Sequence, residues 1–264
     1  MKHLLLKYAL FFFVLPFSQA QNVFQLAPPY LQYESVFFEK AATVKLEFAQ
    51  ADTKIHYTVN GQEPSERDPV YTKPIRIKKN HTTLKARVFG IDFLPSEVVA
   101  ATFYKQGLAI ESISTTLAHE RYPGSGKTAL IDGKGGNKSL SSNTWMGFQA
   151  DTVLLMITLT KPQKAKQVML HVLQNQGAWI FLPQKAEVYG AKNGSNEWVL
   201  LGQQSFETSK KAEKDQCRAI FLDLEKCPKT TQIILKIYPV ASLPEWHPGK
   251  GNAAWLFMDE VKLY

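Results

Sequence analysis

Long hydrophobic runs are scarce in this 264-residue chain, and cysteine is scarcer still, with only two. Once the first 20 residues are set aside, no apolar stretch approaches the ~20 residues that a helix needs to cross a bilayer. That excludes an integral helical segment in the remainder. The two cysteines, Cys217 and Cys227, flank Arg218-Ala-Ile-Phe-Leu-Asp-Leu224, which reads as a single strand. At ~3.3 Å per residue the strand ends lie on the order of 20 Å apart, whereas bridged Cα atoms sit ~6 Å apart, so both thiols are expected to be free. Long helical stripes are missing too.

Catalytic signatures are equally thin. No histidine has the i, i+4 partner of a zinc helix, neither cysteine belongs to a Cys-x-x-Cys pair, and Gly124-Ser125-Gly126 is too short for a nucleophile elbow. Arg121-Tyr-Pro-Gly-Ser-Gly-Lys-Thr128 ends like a phosphate-binding loop, but the position that must be its first glycine is Arg121. No apolar strand feeds the stretch and no helix follows it, so nucleotide binding is set aside.

What is present begins with an export pattern. Lys2 and Lys7 precede or border an apolar run from Ala9 to Phe17, and Ser18-Gln-Ala20 places small residues where a signal peptidase reads. Residues 1–20 are therefore read as a secretory signal, and the mature protein is expected to be exported to the periplasm, cell surface or medium. No cysteine follows the cleavage position, which argues against a bacterial lipid anchor. The 31 basic and 23 acidic residues give +8, and loss of Lys2 and Lys7 leaves +6. Lysines are scattered, so they read first as a solvated surface and only weakly as attraction to acidic glycans or envelope. No nucleic-acid partner is expected. The length that remains suits one large or two ordinary domains.

The apolar period is two. Val44, Leu46 and Phe48 alternate with Thr43, Lys45 and Glu47; Ile55, Tyr57 and Val59 alternate with His56 and Thr58; Leu84, Ala86 and Val88 alternate with Lys85 and Arg87. Asn60-Gly61 reads as a tight hairpin turn, and Pro64 opens a polar excursion before the next strand. From Gly107 onward, strands are expected at 153–159, 167–173, 184–191, 197–201, 218–224, 232–238 and 254–264. The fold class is all-β.

The segments IHYTVNGQEP, VYTKPIRI and TTLKARVFG resemble the C-terminal module of chitobiase and β-hexosaminidase, which implies a small immunoglobulin-like sandwich over residues 21–106. The segments ALIDGKGG, NTWMGFQ, WIFLPQKAEVYGAKNG and LPEWHPGKGNAAWLFMDEVKL resemble a discoidin-like (coagulation factor type C) domain, which implies a galactose-binding-like jelly-roll sandwich over 107–264. In secreted bacterial β-hexosaminidases these modules follow a catalytic barrel. None precedes them in this sequence, so a free-standing accessory pair is expected. The acidic pair Asp259-Glu260 does not substitute for that barrel's acid pair: neighbours on a regular strand point to opposite faces and cannot flank one glycosidic bond.

A binding face is easier to place. If each strand from Val153 crosses once, the loop before Val153 and the loops 174–182, 202–216 and 240–252 gather at one end. Long loops on a rigid scaffold are where function concentrates. Trp246 lies in Pro244-Glu-Trp-His-Pro-Gly-Lys-Gly251, where its indole can offer a flat face to a sugar ring with His247 and Glu245 beside it for hydroxyl groups. Trp179 is the second candidate. For both, the alternative is a place in the core. Trp145 and Trp255 are assigned to the core, and Trp198, after the Asn193-Gly194 turn, to the opposite end. The discoidin resemblance also implies a structural calcium held by Asp132 and Glu260, hard oxygen ligands on a glycine-bent loop. Lys134 and Lys138 depart from that pattern, and the alternative is a turn in which Asp132 accepts from backbone amides.

The function expected is a non-catalytic carbohydrate-binding accessory protein for amino-sugar or galactose-type glycans. The alternative is a structural module that docks on a separate secreted glycoside hydrolase.

Overall fold

The computed structural model describes residues 24–140, 142–192, 197–207 and 209–264. The expected signal and the Asn193-Gly194 turn lie outside the described residues. The described chain is built almost wholly of strands arranged in two sandwiches.

In the first sandwich, a three-stranded sheet of β1 (Tyr30–Gln32), β3 (Ala42–Glu47) and β5 (Ile75–Ile77) faces a four-stranded sheet of β2 (Phe37–Phe38), β4 (Thr53–Thr58), β6 (Thr82–Gly90) and β7 (Val99–Lys105). The alternation read in the sequence directs the burial. Along β3 every second residue is buried, and Val44 and Leu46 pack with Leu84, Ala86 and Phe103 from the facing sheet. Asn60-Gly61 turns the chain, but not as a tight hairpin. The chain makes an excursion from Gln62 to Asp68 before Val70 pairs with His56 at the edge of β4, so the two-residue turn is one corner of a longer loop.

The second sandwich has a five-stranded sheet of β8 (Ile110–Thr115), β10 (Val153–Gln163), β12 (Lys185–Ala191), β13 (Trp198–Ser205) and β15 (Thr230–Tyr238), in the order β13-β12-β15-β10-β8. Opposite lies β14-β11-β16-β9, made of β9 (Met146–Phe148), β11 (Gln167–Gln174), β14 (Gln216–Asp223) and β16 (Leu256–Leu263). All these strand pairings are antiparallel. Leu155, Ile157, Val168, Leu170, Val188, Leu235 and Val261 fill the space between the two sheets.

Unlike a half-solvated sheet, β11 and β16 are buried on both faces. Their inner residues make the core; of their outer residues, Met169, His171 and Lys262 meet the first sandwich, whereas Leu173 and Phe257 pack with Trp145. Phe37 and Tyr104 cluster with Met169, and Phe221 and Tyr264 pack against them. His81 stacks on Phe221 at 4.8 Å between centroids, and Phe37 stands edge-on to His171 at 5.3 Å. The connector is pinned as well. Leu108 N–H donates to Leu263 O at 2.7 Å, and a Cβ on Gly107 would fall 2.0 Å from that same carbonyl oxygen, so only glycine fits there.

The sequence expectation for Asp259-Glu260 needs correction. Along β16, Glu260 pairs with His171 and Met258 with Val172, which leaves Asp259 as an extra residue in a β-bulge. The bulge suspends strict alternation, and both carboxylates reach the same loop: Gly136 N–H donates to Asp259 and Gly133 N–H to Glu260. Both are buried and partnered. The two thiols are free, and burial pushes the Cys217 thiol up to about 12, far from a reactive thiolate.

Candidate functional site

The register places Val153, Gln174, Lys185, Ser205, Gln216, Tyr238 and Leu256 at one end of the second sandwich, because they occupy the terminal positions of adjoining ladders. The long connections therefore meet. Gln174 Nε2 donates to Ser209 Oγ at 3.3 Å, Gln176 Nε2 donates to Lys210 O at 2.6 Å, and the His247 ring meets Gln176 O. Loops from three separate crossings form one hydrogen-bonded surface.

Trp179 is presented on that surface by local backbone chemistry. A single 3-10 turn, Gln176–Ala178, is capped by Asn175, whose Oδ1 accepts from Ala178 N–H at 2.9 Å. The turn ends with Trp179 itself in the left-handed region, φ 66°, which tips the side chain outward; its carbonyl accepts from Trp255 N–H at 2.9 Å. The residue is 37 % exposed. Its six-membered ring rests on Gly249, where a Cβ would come within 2.6 Å of Cζ2, so the loop of the last crossing supports it from below. The core alternative for Trp179 fails.

For its neighbours the outcome differs. Trp246 is half-buried against Phe181, Val240, Leu243 and Ala254, the end-plugging alternative. Glu245 is exposed and accepts from Lys250 Nζ at 3.1 Å. His247 is a correction. It is buried, its Nδ1 accepts from Gly249 N–H at 3.1 Å, and its Nε2 lies 2.9 Å from Gln176 O. Because a backbone N–H can only donate, Nδ1 is bare and Nε2 carries the proton it gives to Gln176. Neither nitrogen is left for a sugar hydroxyl. Trp145 is buried as expected and donates through Nε1 to Asn137 O at 2.9 Å. Trp255 is half-buried beside the same cluster, and Trp198 is 36 % exposed at the opposite end.

Sequence reasoning missed a second group of residues, linked to Trp179 through Trp255, whose N–H donates to the Trp179 carbonyl and whose ring stands edge-on to Tyr122. A pocket of about 410 Å³ is lined by Arg121, Tyr122, Pro123, Gly124, Leu140, Ser142, Asn143 and Trp145. Tyr122 stands edge-on to Trp255 at 5.5 Å and packs on Phe257 at 4.7 Å, which fixes its ring as one wall. The Arg121 guanidinium lies 5.7 Å from the centre of that ring. His119 Nδ1 accepts from Arg121 N–H at 3.2 Å, so the neutral imidazole keeps a proton on Nε2 to give away. The clue was in the failed phosphate loop: a tyrosine between an arginine and a proline, in a loop rather than a strand.

The implied calcium does not fit the residues. Asp132 Oδ1 accepts from Lys134 N–H at 2.8 Å and Oδ2 accepts from Ser125 Oγ at 2.7 Å. Glu260 Oε2 accepts from Gly133 N–H at 2.9 Å, and Oε1 accepts from Lys262 Nζ at 2.9 Å. All four of these partners are donors, and one of them is already an ammonium. Among the described residues no group of three acidic, histidine or cysteine side chains could hold a metal. Burial lifts the Glu260 carboxyl to about 7, against the opposing pull of Lys262 and Gly133.

The fold is that of a two-sandwich all-β protein with its long loops gathered at one pole. Residues 34–100 match the family described as chitobiase/beta-hexosaminidase C-terminal domain, which bears out the resemblance of the first sandwich. No curated protein matches the chain. Solved structures with a similar fold include the C-terminal domain of a chitobiase from Bacteroides fragilis, at 18% identity and TM-score 0.34, covering 59% of this chain and 91% of that one. They also include the Clostridium perfringens module CpGH89CBM32-5 in complex with GalNAc-beta-1,3-galactose, at 16% identity and TM-score 0.38, covering 58% of this chain and 94% of that one. A Ruminococcus gnavus GH29 fucosidase in complex with fucose is similar at 13% identity and TM-score 0.34 over 58% of this chain. This chain spans only 25% of the fucosidase.

Proposed function

We propose that the protein is a non-catalytic, exported carbohydrate-binding accessory protein that takes glycans at the loop pole of its second sandwich. The observation that carries this reading is the 37 % exposed Trp179 on the hydrogen-bonded loop surface, its indole held on Gly249. A rigid aromatic face beside hydrogen-bond donors suits a sugar ring, which offers an apolar face and a rim of hydroxyl groups. Export rests on the pattern of residues 1–20. A non-catalytic role is supported by the state of the acidic pair, since Asp259 and Glu260 are both buried and committed to other groups. The test is a glycan array on the mature chain, covering chitin-, mucin- and galactose-type ligands, with and without EDTA. Trp179→Ala is expected to lower binding about tenfold without changing the fold, and EDTA to change nothing. No binding to any glycan, or turnover of any hexosaminide, overturns the proposal.

A second reading, docking on a separate secreted glycoside hydrolase, is favoured by one feature. Across the outer face of the five-stranded sheet, Met156 pairs with Ile234, Ile234 with Tyr189, and Tyr189 with Leu200. Met156 and Leu200 are 54 % and 45 % exposed, so an apolar row crosses four strands, interrupted where Lys236 Nζ lies 4.8 Å from the centre of the Tyr189 ring. Met156→Lys discriminates the two, since it would weaken docking and leave glycan binding intact.

A further inference from the structure

From the charge of the pocket we infer that its ligand is an acidic sugar, a pyranose bearing a carboxylate or sulfate. This inference rests on the glycan-binding reading and specifies the chemistry of the ligand.

The argument starts from what lines the pocket. Of the described side chains that shape it, Arg121 alone is charged, and no carboxylate is among them. Tyr122, Pro123, Leu140 and Trp145 supply apolar walls, and Asn143 a neutral amide. Arg121 is exposed, and among the described residues it has no ion-pair partner, since the salt bridges of the chain are made elsewhere. An arginine held over a tyrosine ring keeps its planar fork of donors free at the edge, the geometry that grips carboxylate and sulfate oxygens in pairs.

A neutral sugar would offer that guanidinium no opposite charge. An anionic one supplies it while the sugar ring lies against the apolar walls. At about 410 Å³ the pocket falls within the ~300–1,000 Å³ of small-ligand sites. It therefore suits a short acidic unit, such as the end of a chain, rather than a long polymer lying across it.

Calorimetry on the full mature chain tests this with three probes: digalacturonate, galactose-6-sulfate and neutral N-acetylgalactosamine. At least one acidic probe is expected to bind about tenfold or more tightly than the neutral sugar, with affinity falling as salt rises. Arg121→Gln is expected to erase that preference, whereas Trp179→Ala should weaken acidic and neutral probes alike. Preference for digalacturonate alone identifies a carboxylate ligand, and preference for galactose-6-sulfate alone a sulfate; either upholds the inference. Equal binding of all three probes, or a preference that survives Arg121→Gln, overturns it while leaving glycan binding intact. Failure of every probe overturns the acidic-sugar inference, and a blank neutral-glycan array alongside it overturns the glycan-binding reading too.

Discussion

At the scale of single residues, Lys262 has the largest part in joining the two sandwiches. Its ammonium donates to Glu260 Oε1 at 2.9 Å and to Gln106 Oε1 at 2.7 Å, and lies 4.8 Å from the centre of the Phe37 ring. One positive charge thus contacts the last strand, the connector and the first sandwich. It also supplies Glu260 with the cation that the implied calcium would have brought. Lys262→Met should cost about 3–5 kcal/mol in urea unfolding at pH 8, because it strands a buried carboxylate. Adding Glu260→Gln should restore most of the loss; a double variant as weak as the single one would assign the cost to packing instead. The pH dependence has a fixed sign. Glu260 titrates at about 7 in the folded protein against the ordinary glutamate value of 4.5, so the native state holds the extra proton between those limits. Its contribution to stability is full below pH ~4.5, declines as pH rises to about 7, and is flat beyond. The difference in unfolding free energy between the protein and Glu260→Gln, measured across that window, should show this slope. A flat difference would place the carboxyl in a better-solvated setting.

At the scale of elements, what the sequence disclosed was whatever repeats with period two. The inner faces of β3 and β6 were legible because one side of each strand is mostly apolar and the other mostly polar. Counting crossings was enough to gather the long loops at one pole, since antiparallel connection leaves no choice once the strands are found. Three kinds of feature were hidden. The bulge at Asp259 adds one residue without changing local composition, so alternation misplaced a carboxylate. β8 and β9 were not found, for β8 is a largely exposed, serine-containing edge and β9 is only three residues long. The sequence left both a sugar-facing and a core place open to Trp179 and pointed His247 toward a sugar: a left-handed residue at the end of a 3-10 turn turned the tryptophan outward, and tight loop packing turned the histidine inward. Such inversions depend on one backbone angle or one hydrogen bond. Residue type does not encode them. The pocket of Arg121 and Tyr122 was missed for a related reason, because the stretch was tested as a phosphate loop and not as a wall contributed to a neighbouring loop.

At the scale of the whole molecule, the question is whether two sandwiches joined by a short connector move independently. Interfaces between domains of one chain are usually modest and polar, and independent motion is the default. This interface is different in kind. Phe37, Tyr104 and Met169 are buried at it, His81 and Phe221 stack across it, and Lys262 bridges it to the connector. The second sandwich even depends on it, since the outer faces of β11 and β16 would otherwise expose Met169 and a buried ion pair to water. Unfolding one sandwich should therefore destabilise the other, and calorimetry on the mature chain should show a single transition. Phe37→Ala removes the ring that contacts Tyr104, His171 and Lys262 at once. Loss of a buried phenylalanine costs about 3–5 kcal/mol, and here the loss falls on the coupling between the sandwiches more than on either core. The variant should melt in two resolved steps. Two transitions already present in the unaltered chain would show that the junction is a resting contact, and the loop pole would then be free to swing relative to the first sandwich.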